Sequence, residues 1–518
     1  MPTKCLIRPS EYHDSVTLME TARELTQLPG VTDAAVVMAT EANKGVLQGA
    51  GLLLLEIKDA AANDLAIVVQ AESNAAADHA LEVAKKHLAR RPGAGGTGTA
   101  FQARTIRGAV RSNPQANLAV ISVAGQYAAA EAWEALRHGL HVLLFSDNVP
   151  IEDEVALKKY AAEHGLLMMG AGCGTAIING VALGFANAVL RGPVGIVAAA
   201  GTGLQEISTL LTKLGVGISQ GIGTGGRDLE EAVGGIMMRE GIQTLQDDPD
   251  TQVLLLISKP PAPTVAELVL KQVQQSDKPT VVCFLGGDPA PIAAAGAIPA
   301  RTLQQAAYLA AAEVEGYAEP AADEVIEREK TKLKVQALEL KKRLKPGQKY
   351  LRGLFSGGTL AAEALVIWEE TPGDVFSNVA VDPRLKLRDA TRSEGHCAVD
   401  LGEDEFTVGR PHPMLDNDLR IRHLMQESTD PEVAVVVLDV VLGYGAHPDP
   451  ASELGPAIRR ARERATSDGR ELLIVASVTG TEGDPQGLSR QVQALEEAGA
   501  VVASCNAAAA RLAGFIVV

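Results

Sequence analysis

A chain of 518 residues that is 46% apolar but only 3% aromatic, with 51 glycines and a formal net charge of −17, can bury several cores of small side chains. The acidic balance sets nucleic acid and anionic membrane aside as partners and leaves small anions bound at local sites. Five scattered cysteines without a Cys-x-x-Cys pair set aside a disulfide framework and a metal site, and the apolar runs are too short to span a bilayer, so the expected setting is cytoplasmic.

From the start, apparent strands and helices alternate as KCLIRPS, DSVTLMETARELTQLPG, DAAVVMAT, DLAIVVQAES and NAAADHALEVAKKHLARR, which predicts a small ferredoxin-like α+β module over residues 1–90. Arg90–Thr99, RRPGAGGTGT, reads as a connection. From Ala116 the pattern becomes βαβαβ, with NLAVISVAG, AAAEAWEALRHG, HVLLFSD, IEDEVALKKYAAEHG and LLMMGAGCGTAII. Residues 105–190 are therefore expected to form a Rossmann-like layer.

The segment VGIVAAAGTGLQEISTLLTKL opens a further α/β domain over 191–320. A small apolar strand ends at Gly201-Thr202-Gly203, and Leu204, Ile207, Leu210, Leu211 and Leu214 then fall at helical spacing until Gly215. Unpaired N–H groups and the positive dipole end at such a helix start make an anion site. A second loop, Gly223-Thr224-Gly225-Gly226-Arg227, ends the next strand, at the carboxyl ends of the strands where open parallel sheets gather ligands. Arg227 suits a bidentate contact to phosphate or carboxylate, or equally an ion pair with Asp228 or Glu230; Lys259 in SKPPAP is a candidate of the same kind.

Residues 321–347 are densely charged with alternating sign and predict a solvated connecting helix. After it the chain repeats itself over 348–518. LRGLFSGGTLAAEALVIW carries Gly357-Gly358-Thr359, Asp430-Pro431-Glu432 echoes Asp248-Pro249-Asp250, and Gly483-Asp484-Pro485 echoes Gly287-Asp288-Pro289. Thr371–Asp418, with His396, Cys397, His412 and Asp416, has no evident counterpart. In GYGAHPDP, Gly443 and Gly445 precede His447, which suits a phosphate donor or acid–base group, or a loop hydrogen-bonder.

These phrases carry a resemblance. NLAVISVAG through HVLLFSDNVP, MGAGCGTAII, VGIVAAAGTGLQE and IGTGGRDL resemble the alpha subunit of succinyl-CoA synthetase over roughly 105–310, and the part after Leu351 is similar to the carboxy-terminal ligase domain of the beta subunit. With GTGLQEISTLL, SKPPAP, SGGTLAAEA and FTVGRPHPMLDNDLR, the whole chain resembles the FdrA family. The resemblance implies an α/β fold: a Rossmann-like CoA-binding-type domain and two flavodoxin-like synthetase-type domains behind the ferredoxin-like module.

In the synthetases resembled here, two helix amino ends face the phosphate of a phosphohistidine. That implies phosphate contacts at Gly201, Thr202, Gly203, Gly357, Gly358 and Thr359, and a place for Cys173 near the CoA site. The histidine of the family's Gly-His-Ala-Gly-Ala-Ile motif is Ala294 here, and the serine before Gly-Thr is Ala200. A methyl group cannot carry phosphate. The expectation drawn from that loss is a subunit of an oxamate carbamoyltransferase-like enzyme of allantoin and purine breakdown, using carbamoyl phosphate with His447 and Arg227 as catalytic groups. It needs no cofactor, takes anionic small molecules and works in a hetero-oligomer. The alternatives are an acyl-CoA (succinyl-CoA) synthetase-like ligase that binds CoA, and a noncatalytic assembly subunit.

Overall fold

A computed structural model describes residues 2–11, 13, 15–89, 103–314, 321–407 and 411–518. The connection Arg90–Thr99 lies outside the described residues, as do 408–410 of the phrase FTVGRPHPMLDNDLR. The chain divides into two compact units, one of residues 1–115, 122–128 and 403–412, the other of 116–121, 129–402 and 413–518.

In the first unit, β1 (Thr3–Arg8), β2 (Val31–Met38) and β3 (Leu65–Ala71) form an antiparallel sheet in the order β1-β3-β2. β1 and β2 thus flank a later strand, the split crossover of ferredoxin-like modules. The central strand is apolar at every position but Gln70 because both its faces are covered. Leu65, Ile67 and Val69 pack with Leu18, Leu25, Ala80 and Leu88, whereas Ala66 and Val68 pack with Leu47, Leu52 and Ile57.

The second unit begins with a parallel sheet of β4 (Leu118–Ile121), β5 (His141–Leu144) and β6 (Met168–Met169). A hairpin, β7 (Thr175–Ile178) and β8 (Val181–Gly184), then joins the edge of the next sheet. That sheet continues with β9 (Arg191–Ala198), β10 (Ile218–Gly223), β11 (Val253–Ser258), β12 (Thr280–Phe284) and β13 (Ile298–Pro299), in the order β13-β12-β11-β9-β10-β7-β8. The last sheet holds β14 (Tyr350–Phe355), β15 (Phe376–Ser377), β16 (Cys397–Asp400), β17 (Val433–Val441), β18 (Leu473–Thr479) and β19 (Val501–Ala503), in the order β15-β16-β14-β17-β18-β19.

Laid against each other, β13-β12-β11-β9-β10 and β19-β18-β17-β14-β16 are the same flavodoxin-like order. The repeat is therefore architectural as well as verbal. It also gives Thr371–Asp418 a counterpart that the residue pattern did not reveal, since β16 lies beside β14 as β10 lies beside β9. Four residues, CAVD, are too few to show a period.

The charged helix, observed as Ala322–Lys341, is not solvated all round. Leu333, Ala337 and Leu340 line one stripe and pack in the core that holds Ala507–Ala510, Leu512 and Ala513 of the last helix, Asn506–Val517. Alanine at so many of these positions lets the helices approach closely.

Candidate functional site

The predicted turns are formed, and they meet. β9 runs into Ala199-Ala200 and the helix Gly201–Lys213; β14 runs into Ser356-Gly357 and the helix Gly358–Glu370. A Cβ built on Gly357 would stand 2.9–3.0 Å from three atoms of the Thr202 side chain, and one on Gly203 would stand 2.9 Å from Thr359 Cγ2. Each threonine thus presses on a glycine of the other half, at a distance only glycine tolerates. Neither N-cap residue, Ala200 nor Gly357, offers a side-chain cap to the first-turn N–H groups. Two positive helix ends brought together without capping oxygens favour an anion between them.

Lys259 follows β11 of the first half, and its Nζ comes within 3.5 Å of where a Gly358 Cβ would be, with Asp400 Oδ2 at 2.5 Å from the same point. A lysine of one half and an aspartate of the other therefore converge on the second turn.

That turn is anchored from below. Asp439 accepts Ser356 N (2.7 Å), Gly357 N (2.9 Å) and the Ser356 hydroxyl (2.9 Å). Arg420 Nη1 donates to Asp439 Oδ1 at 3.0 Å, and its Nη2 donates to Asn417 Oδ1 at 2.7 Å. Asn417 in turn donates to Glu453 Oε2 at 3.0 Å, and Glu453 Oε1 lies 3.1 Å from His447 Nε2. A polar chain thus links the Gly357 turn to His447. Burial alone pushes the Asp439 carboxyl up and the Arg420 guanidinium down, and each opposes the shift of the other.

His447 is buried, and its Nδ1 accepts the Asp449 N–H at 3.0 Å, which leaves the ring proton on Nε2 toward Glu453. Its loop seats on the first half: a Cβ on Gly443 would fall 2.5 Å from Ala186 O, and one on Gly445 3.0 Å from Gly184 O. Gln205, one turn into the Gly201 helix, donates to Asn187, which donates to Leu442 O and Asp484. The neighbour of Gly201-Thr202-Gly203 across the junction is therefore the Gly357 turn, with the His447 loop one helical turn further on.

The Gly223–Arg227 loop is shaped by close backbone approach. A Cβ on Gly223 would meet Thr175 O at 2.2 Å, and one on Gly225, with φ +87°, would meet Ala171 O at 2.4 Å; Gly226 is open. Thr224 is buried, and its carbonyl accepts from Lys158. Arg227 pairs with neither Asp228 nor Glu230 but reaches Glu154 Oε2 at 2.7 Å and donates to Val149 O. Beneath it Lys158, fully buried, donates to Glu154 and Asp228 at 2.8 Å each, and Asp228 accepts Met237 N and Met238 N at the start of the next helix. Burial pushes the Cys173 thiol up to about 11, so it is inert at neutral pH.

Asp439, Arg420, Lys158 and Asp400 were absent from the residue-based candidates. Asp439 left a trace, a lone acid inside the apolar strand VAVVVLDVV, which a buried site must pair.

The chain is 47% identical over 506 residues to the Escherichia coli protein YahF, itself uncharacterized, covering 98% of this chain and 97% of that one. The chain belongs to the YahF family. Family profiles match a CoA-ligase domain at residues 354–516, a CoA binding domain at 191–286 and the heavy metal-associated domain of AllF at 1–103. A succinate–CoA ligase alpha subunit of Methanothermobacter thermautotrophicus is 28% identical over 178 residues, 34% of this chain and 59% of that subunit. One of Aquifex aeolicus is 31% identical over 196 residues, 36% of this chain and 61% of that subunit. The chain spans about three fifths of the length of these ligase subunits.

These relatives overturn the expectation of a carbamoyltransferase of allantoin or purine breakdown. Both equivalent layers match CoA-ligase or CoA-binding domains, and the two subunits just named, like a malate–CoA ligase alpha subunit of Methylorubrum extorquens, belong to CoA ligases. A missing histidine, here an exposed methyl at the end of the short helix Pro289–Ala294, says which phosphate carrier is lost and nothing about which acyl group is transferred. No helix among the described residues is long and apolar enough to cross a membrane.

Proposed function

We propose that this member of the YahF family is a subunit of an acid–thiol ligase, and that its own two halves carry the step in which an acyl phosphate passes its acyl group to coenzyme A. The observation that carries the reading is the seating of Thr202 on Gly357 and Thr359 on Gly203, which brings two uncapped helix ends together. The CoA-ligase and CoA-binding matches on the same two halves support it.

In this step the CoA sulfur attacks the acyl carbon, the carbon–oxygen bond to phosphate breaks, and the thiol proton leaves to solvent. Negative charge grows on the departing phosphate, where fixed backbone dipoles act best because they need no reorientation. Lys259, beside Gly358, adds a positive charge. No protein nucleophile is required, which suits alanine at position 294. Activation of the acid falls to a partner subunit.

The test is to mix the purified chain with CoA and acetyl or succinyl phosphate, following thioester and phosphate together. Equal yields of both, reduced at least tenfold in Gly201→Val, are expected. No thioester from either acyl phosphate, with no CoA binding by calorimetry, would sink the reading.

A further inference from the structure

Two carboxyl groups are buried where the halves meet, with no cation paired to either among the described residues. Glu206 Oε1 accepts Asn506 N at 3.0 Å, and its Oε2 accepts the Thr479 hydroxyl. Glu363 Oε1 accepts Leu303 N at 2.6 Å and Gln304 N at 3.3 Å, and its Oε2 accepts Asn506 Nδ2 at 2.8 Å. The nearby guanidinium, Arg511, donates to Gln304 Oε1 and stands 3.9 Å from Glu329. Among the described residues the other titratable neighbours are the Cys283 and Cys505 thiols, both kept neutral by burial.

Asn506 is fully buried, yet its Oδ1 has no donor among the described residues. Turning the amide over would set that oxygen against Leu360 O, which can only accept, so the orientation stands. Two neighbouring acids without a paired cation, in a site that also leaves an acceptor without a donor, call for a proton.

We propose that Glu363, beside the buried Glu206, keeps its proton up to about neutral pH, and that this proton positions the two glycine turns, which lie at the starts of the helices bearing the two acids. Burial first, and the charge of Glu206 second, push the Glu363 carboxyl up to about 7. Losing the proton leaves two like charges in a dry junction, pressing apart the helices that hold Thr202 and Gly357 together. The effect on thioester formation rests on the ligase reading; the proton itself does not.

The full-length chain, Glu363→Gln and Glu206→Gln are compared by infrared spectroscopy and thermal unfolding. The wild type should show a protonated-carboxyl stretch at pH 6 that is gone by pH 9 and missing in Glu363→Gln. Relative to that variant, its folding equilibrium constant should fall about tenfold per pH unit between roughly pH 4.5 and 7 and then level off. In Glu206→Gln the stretch should vanish at lower pH, because the repelling charge is gone; this arm stands even where Glu363→Gln does not fold. No carboxyl stretch at pH 6, or unfolding curves that stay parallel, overturns the proposal. Thioester formation should decline above pH 7 in the wild type and not in Glu363→Gln. A stretch that behaves as stated in a chain that forms no thioester keeps the proton and removes the ligase reading.

Discussion

Glu206 and Glu363 stand at the same position of two equivalent helices, and each caps the final helix of the opposite half. Glu206, from the first half, takes Asn506 N at the start of Asn506–Val517; Glu363, from the second, takes Leu303 N at the start of Leu303–Ala312. Thr302 caps Gln305 N from within the first half, but Leu303 N, Gln304 N and Asn506 N are taken by the opposite half.

Glu363→Ala removes that cap and strands Leu303 N and Asn506 Nδ2, so denaturant unfolding should show a loss of roughly 2–4 kcal/mol. Glu206→Ala should cost a similar amount. Because both acids meet on Asn506, the double variant should lose less than the sum.

Gly357→Ala places a methyl against Thr202, and the expected loss is roughly 1–3 kcal/mol with a fall in thioester-forming rate. Adding Thr202→Ser removes the Cγ2 atom at 2.9 Å and should restore part of both. Restoration of stability without activity would show that spacing of the turns does not limit the chemistry.

Lys158→Met leaves Glu154 and Asp228 buried without their shared cation. A loss of about 3–5 kcal/mol is expected on unfolding, with greater protease sensitivity at the Gly223–Arg227 loop.

Arg227 already holds Glu154 and Val149 O, so Arg227→Ala should lower the melting temperature while leaving KM for acyl phosphate within twofold. A tenfold rise in KM at unchanged stability would assign the guanidinium to substrate instead.

The elements that sequence reading caught were those whose cause is local. AAAGTGLQE spells strand, turn and helix over a few residues, and the recurrence at SGGTLAAEA exposed the duplicated layer. What escaped depends on distant pairing. Glu206 and Glu363 read as ordinary helix residues until the opposite half arrives, and Lys158 acquires its role only when Asp228 folds beneath it. β16 was hidden because its neighbours, not its own residues, make it a strand. The acyl chemistry was misread because Ala294 reports an absence, and the groups that remain are shared by several phosphate-handling reactions.

The helix Ala322–Lys341 makes the two layers one polypeptide, so their meeting is a first-order event. A short tether holds its ends at an effective concentration on the order of millimolar, whatever the dilution outside. The junction need not be strong enough to assemble from free pieces; it can open and reclose many times without its parts escaping. Cutting the chain beside that helix would turn the same contacts into a bimolecular affinity, and activity would then fall with dilution where that of the intact chain would not.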